Sequence, residues 1–171
     1  MSLFVTTHNT NGKATVVKEL QNEYHEMPIP IGTIKMLWSN HEFPMNLSTE
    51  ADIEQYKHDR TNKFFPGEQR ICPEKGAATC MISMKPGAES APHRTMTLDV
   101  IVILEGEIEF HLDSGEKMVA VAGDTIVQRG TMHKWVNVTP NGGWAKWVAF
   151  IQAIAQPIEI GDQVLRNEWA H

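Results

Sequence analysis

The segment APHRTMTLDVIVILEGEIEF, residues 91–110, sets a histidine, a threonine and one aspartate against an otherwise apolar, β-branched run. In an extended strand Asp99 shares a face with Ile101 and Ile103, while Val100, Val102 and Leu104 line the other, because side chains alternate with period two. A second histidine of this kind, His133, follows GTM and opens the run HKWVNV. Imidazoles and a carboxylate held at the mouth of a buried strand can take and return protons. His93 or His133 beside Asp99 therefore reads as an acid/base arrangement, with Asp99 and His133 as the catalytic candidates.

Five further side chains are candidates for touching a ligand. Trp135 lies two residues after His133 and shares its face. Gln128 and Arg129 stand just before that histidine's turn, where either could orient a substrate carbonyl or carboxylate. Trp147 alternates with Ala145, Ala149 and Ile151, and small alanines beside an indole either leave pocket space or reflect tight packing. Thr95 follows His93 by two residues and points the same way. A plainer reading stands beside these: Asp99 accepts hydrogen bonds from Thr95 or His93, and the two histidines satisfy a polar cavity.

The other histidines read as surface groups. His8, His25, His41, His58 and His171 lie in polar or turn-like surroundings. In EIEFHL, Ile108, Phe110 and Leu112 alternate with Glu107, Glu109 and His111, so His111 belongs with the glutamates on a wet face.

The elements that must position these groups are short. Turn signals recur at 9–13, 27–32, 64–69, 85–92, 113–116 and 139–143, and between them lie runs rich in Val, Ile, Thr, Met and Trp. Many short strands with almost no helical period predict an all-β sandwich or barrel. The exception is LSTEADIEQYKHDRT, where Thr49 and Asp52 form a capping-box pattern and Ile53 and Tyr56 fall three apart. A short surface helix is expected there, near 48–58.

With these residues in view, the chain resembles the cupin superfamily. Gly87, His93, Thr95, Asp99 and Gly106 fall at the spacing of the first cupin motif, with Thr95 and Asp99 where that motif has a second histidine and a glutamate. Gly123, Gly130, His133 and Asn137 follow the second motif, one residue shorter and with Arg129 in place of its proline. The resemblance implies a cupin double-stranded β-helix, or jelly-roll barrel, of the small single-domain kind. An N-terminal extension over 1–75 would carry the one helix, the barrel would span 76–156, and a C-terminal tail would cover 157–171. It further implies a divalent metal, Fe, Mn, Ni or Zn, in the barrel mouth, held here by His93, His133 and Asp99, since a threonine hydroxyl is a poor ligand. Family analogy leaves the reaction open among dioxygenase, decarboxylase, isomerase and cyclase types. Metal-free acid/base catalysis and non-catalytic binding or sensing of a small ligand are the alternatives.

Composition narrows the partners. With 171 residues and 42% hydrophobic content, one core is expected, and a formal net charge of -6 argues against nucleic acid or an anionic membrane. No apolar run approaches the roughly 18 residues of a membrane span, and MSLFVTTHNTNGK has neither the basic nor the apolar region of an export signal. A cytoplasmic protein acting on a small organic molecule is expected, with Cys72 and Cys80 as reduced thiols. Because both faces of the strand at 99–104 are apolar, a homodimer is expected to cover the outer one, with or without the N-terminal extension.

Overall fold

A computed structural model describes residues 2–21, 25–62, 65 and 70–170. His171 and, apart from Phe65, the turn at 64–69 lie outside the described residues. In chain order the strands are β1 (Thr6–His8), β2 (Ala14–Val16), β3 (Glu26–Ile29), β4 (Gly32–Asn40), β5 (Ala77–Met84), β6 (His93–Arg94), β7 (Thr97–Glu105), β8 (Glu107–Leu112), β9 (Lys117–Val121), β10 (Thr125–Arg129), β11 (His133–Asn137), β12 (Ala145–Ala153), β13 (Ile158–Ile160), β14 (Gln163–Leu165) and β15 (Glu168–Trp169). One α-helix, α1 (Ala51–Asp59), interrupts them. No described helix is long and apolar enough to cross a membrane.

Two antiparallel sheets form the barrel, one in the order β10-β7-β12-β5-β4-β3 and the other β15-β6-β11-β8-β9. Their inner faces share one core, in which the Trp135 ring of the smaller sheet lies 5.9 Å from the Trp147 ring of the larger. The period-two reading of β7 holds: Asp99, Ile101 and Ile103 are buried, whereas Leu104 is exposed. Register pairs Ile126, Ile101, Ala149 and Cys80 across four strands of the large sheet, so each apolar row continues into its neighbour. Burying such rows contributes roughly 25 cal/mol per Å² of apolar surface.

The extension widens the barrel instead of wrapping it. β4 pairs with β5 along its whole length, and β3 pairs with β4, so residues before the helix extend the sheet edge. Val127 and Phe150, neighbours of Val100 on the outer face of β7, remain 55% and 50% exposed. At the other end of the chain, β15 pairs with β6, which makes the last described residues part of the smaller sheet.

Helix α1 differs from its expected start. Glu50 occupies the N-cap and no side chain caps the helix, so the Thr49–Asp52 box does not form; the Ala51 N–H reaches Thr49 Oγ1 at only 3.5 Å. The helix is held by packing and by a buried carboxylate instead. Ile53 and Tyr56 are buried, the Tyr56 hydroxyl donates to the Met36 carbonyl, and Asp59 accepts from Ser39 Oγ at 2.8 Å and Gln55 Nε2 at 3.0 Å. His41, just past β4, is exposed as expected, and its Nε2 meets Asp59 at 2.7 Å, which ties the end of that strand to the helix. His8, His25 and His58 are exposed, as expected.

The motif glycines serve the turns. Gly106, between β7 and β8, has φ +78°, and a Cβ there would lie 2.6 Å from the Trp144 carbonyl oxygen. Asn137 fixes the far end of β11: its side-chain amide meets the carbonyls of Met84, Lys85 and Gly143, while its Oδ1 accepts from the Thr139 N–H.

Candidate functional site

The two histidines meet because β6 and β11 are paired with His93 directly opposite His133. Their ring centroids are 4.3 Å apart. Each Nδ1 lies 2.9 Å from a backbone carbonyl, that of Ala91 for His93 and that of Thr131 for His133. A carbonyl can only accept, so each Nδ1 carries the proton and each Nε2 keeps its lone pair. Burial, with the nearby His93, pushes His133 down to about 3, and burial also lowers His93. Both imidazoles are therefore neutral at ordinary pH, and His133 is a hydrogen-bond acceptor and a weak base.

Aromatic rings enclose this pair. Trp169 of β15 stacks on His93 at 4.5 Å and 8° between planes, and Trp135 meets His133 edge-on at 4.9 Å. The strand that carries Trp169 is pinned at several points: Glu168 accepts from Arg94 at 3.1 Å, Asn167 Oδ1 accepts from the Met96 N–H, and the Ala170 N–H donates to the Pro92 carbonyl.

A second cluster lies on β7 and β10. Gln128 is the register partner of Asp99, so both side chains point inward from adjacent strands, with Cβ atoms on the order of 5 Å apart. Both residues are buried, and neither Asp99 Oδ1 nor Gln128 Nε2 has a hydrogen-bond partner among the described residues. Thr97 donates to the Asp99 carboxylate, and Thr97 Oγ1 lies 2.9 Å from Thr95 Oγ1. Since a carboxylate only accepts, the chain of protons runs from Thr95 to Thr97 to Asp99. Burial raises the Asp99 carboxyl to about 6, against the smaller opposing effect of Thr97. The Cys72 and Cys80 thiols are free and buried, and burial with the neighbouring Asp99 helps push both up to about 12, so both stay protonated.

A cavity of about 750 Å³ opens over this second cluster, lined in part by Thr95, Thr97 and Cys72. The histidines do not line it. Asp99 and Gln128 do not line it either; Thr97, which does, is the link to Asp99.

Of the residues singled out by sequence, the structure brings His93, His133 and Trp135 into one cluster and Thr95, Asp99 and Gln128 into another. Gln128 points inward, and its neighbour Arg129 is exposed. Trp147 meets the first cluster only through Trp135, its ring 5.9 Å away, and stands apart from the second: it pairs with Ile103, four residues along β12 from Ile151, the partner of Asp99, which is roughly 13 Å down the strand. It is buried in the barrel core. The hydrogen bond that Asp99 accepts comes from Thr97, two residues before it on the same face, and not from Thr95 or His93. Trp169 carries no periodic signal in its polar surroundings, and Cys72 lies between a turn and a strand; nothing local in the sequence ties either to the site.

The imidazole tautomers suit a divalent metal, which takes the free Nε2 lone pairs while Nδ1–H is anchored. The carboxylate does not join them. Among the described residues no three of His, Cys, Asp and Glu come together in a group that could hold a metal ion, and Thr95 spends its hydroxyl on Thr97. The donors at the mouth therefore amount to two imidazoles, short of the three protein ligands of an open catalytic site.

The comparisons agree with this architecture. A model of the cupin domain matches residues 80–145, which include both motifs' histidines and Asp99. The chain is 36% identical over 148 residues to cupin-domain-containing oxidoreductase srdD of Neurospora crassa, covering 84% of this chain and 71% of that one. It is 33% identical over 166 residues to Oryzines biosynthesis cluster protein J of Aspergillus oryzae, covering 95% of this chain and 87% of the other. Among solved structures, an RmlC-like cupin from Shewanella frigidimarina superposes with a TM-score of 0.50 at 18% identity, over 78% of this chain and 86% of that one, which shows the shared fold. With its motif glycines at the barrel turns and its motif histidines paired across β6 and β11, the chain belongs to the cupin superfamily.

Proposed function

We propose that the chain is a small-molecule-processing cupin enzyme that moves a proton on a carbonyl-bearing organic substrate, with Asp99 as the base. One observation carries this reading. An acceptor, Asp99 Oδ1, and a donor, Gln128 Nε2, project inward from register partners on adjacent strands, both buried and unsatisfied among the described residues. Such a pair complements a carbonyl group with an acidic hydrogen next to it. The carbonyl oxygen accepts from Gln128 Nε2, the C–H bond beside it breaks, its proton passes to Asp99 Oδ1, and the electron pair moves onto the oxygen. Gln128 then stabilises the developing negative charge, a role for which one well-placed donor is worth about 10²–10³ in rate. Return of the proton to a different atom completes an isomerisation. A carboxyl near 6 is ionised at neutral pH yet more basic than an ordinary aspartate, which suits the task.

A second reading, a metal-dependent redox enzyme using Fe, Mn, Ni or Zn, is supported by the free Nε2 atoms of His93 and His133 and by relatives named as oxidoreductases. It requires a ligand beyond these two imidazoles. We further propose a homodimer in which a second copy covers the outer face of β7, since an isologous contact pairs Val127, Val100 and Phe150 with themselves and requires no other partner surface.

The test of the proton-transfer reading needs no known substrate. Incubation of the protein in D₂O with a pool of small carbonyl compounds should transfer deuterium to at least one, and Asp99→Asn should abolish that transfer. Binding of a pool member without deuterium uptake would instead favour a sensing protein.

A further inference from the structure

Three cations converge on the large cavity from distant parts of the chain. Arg70 and Lys75 come from the segment before β5, and Arg166 from the segment after β14. Only one carboxylate, Glu74, lines the same cavity among the described residues. The chain as a whole has the opposite balance, 21 acidic against 15 basic residues. The rim is therefore a local reversal of the molecule's charge, and its low-dielectric walls concentrate that field.

The cations are available. Among the described residues Lys75 and Arg166 form no ion pair, and Arg70 holds Glu74 through an exposed contact at 3.3 Å, which is worth little and exchanges readily. The lining also includes the apolar Ile71, Met96 and Ile154 together with Thr95 and Thr97, the second of which is linked to Asp99. A ligand that fits all of this has an anionic end, an apolar body and a reacting end.

From this arrangement we infer that the substrate is a small organic carboxylate, its carboxylate held at the rim by Lys75, Arg166 and Arg70 while its carbonyl end is directed at the Thr95 and Thr97 hydroxyls beside Asp99. The inference rests on the proton-transfer reading for the reacting end, but the rim makes its own claim about binding. Guanidinium groups take carboxylates by paired N–H donors, and a lysine adds a point charge that draws the anion in. Glu74 competes for Arg70, so it weakens the site.

The test is a titration of the intact protein, followed by backbone amide NMR shifts, with benzoate, succinate and citrate against benzamide and succinamide, and with inorganic phosphate as a further arm. The carboxylates should give saturable shifts around Lys75, Thr97 and Arg166, and the amides should not. Lys75→Gln and Arg166→Gln should each weaken carboxylate binding about threefold to tenfold, added salt should weaken it further, and Glu74→Gln should tighten it. Equal shifts with the amides, unchanged carboxylate binding in the Lys75→Gln/Arg166→Gln double variant, binding of phosphate alone, or no saturation by any carboxylate up to about 10 mM would each overturn the inference. Asp99→Asn separates the two claims. Carboxylate binding that survives in it while deuterium transfer is lost supports both, whereas a pool that exchanges deuterium only on uncharged compounds sinks the rim site and leaves the base intact.

Discussion

Gln128 and Asp99 lie side by side on adjacent strands inside the barrel, and each keeps one buried polar atom that no group among the described residues satisfies. The rest of the interior does not behave this way. Asn137, equally buried, engages its amide with three carbonyls and its oxygen with a backbone N–H. An unsatisfied buried donor or acceptor costs about 1–3 kcal/mol, so two side by side are a cost that the fold carries without structural return. A ligand that bridges them recovers it.

Asp99→Asn should therefore stabilise the protein at high pH. Burial raises the Asp99 carboxyl from an ordinary 3.8 to about 6, so between those values the folded chain binds more protons than the unfolded one, and this group's contribution falls as pH rises through that window. His133 acts in the opposite sense: its pKa is lowered from 6.5 to about 3, the unfolded chain binds more protons, and its contribution falls as pH drops below about 6.5. Urea unfolding at pH 8 should show Asp99→Asn more stable than wild type by about 1–3 kcal/mol, and the gain should vanish below pH 4.

Two polar residues of similar sequence appearance should separate sharply. His111 lies on the outer face of β8, paired with Glu109, and His111→Ala should change stability by no more than about 0.5 kcal/mol. Asn137→Ala strands three carbonyl partners and should cost about 2–4 kcal/mol, read from the same urea curves.

Period two and the spacing of glycines and histidines made much of the barrel legible in the sequence. Asp99 with Ile101 and Ile103, and His111 with its glutamates, follow from parity alone. The motif spacing marked Gly106 and Gly130 as turns because positive φ at those points excludes most other residues. What remained hidden depends on contacts between distant segments. Trp169 reaches His93 through a two-residue strand pairing, and Lys75 meets Arg166 across the cavity, with no local period to announce either. The separation of Asp99 from the histidine pair was hidden for the same reason: spacing along β6 and β7 sets which face a side chain takes, not which neighbour on β10 or β11 it meets.

The outer face of β7 gives a prediction about assembly. Light scattering at micromolar concentration should report a dimer, and Phe150→Glu, which places a charge on the exposed apolar row beside Val100, should yield a folded monomer. A wild-type monomer would remove the need for a partner on that face.

Metal binding should respond to one substitution at the mouth. Wild type incubated with Zn(II) or Ni(II) and then desalted should retain little metal, because two imidazoles compete poorly with water. Thr95→His adds a third imidazole beside His93 on the same side of the strand and should raise affinity by about tenfold or more, read by metal analysis. Full occupancy in the wild type, lost in His93→Ala or His133→Ala, would instead favour the metal-dependent reading.

The account stands most directly on the pH profile of deuterium uptake from D₂O into a carbonyl compound that the protein binds. The rate should rise with pH through about 6 and level off above it, following ionisation of Asp99; it should fall about 10²-fold or more in Gln128→Leu and disappear in Asp99→Asn. Uptake at the wild-type rate in Asp99→Asn, or a profile with no inflection near 6, would contradict the assignment of Asp99 as the base.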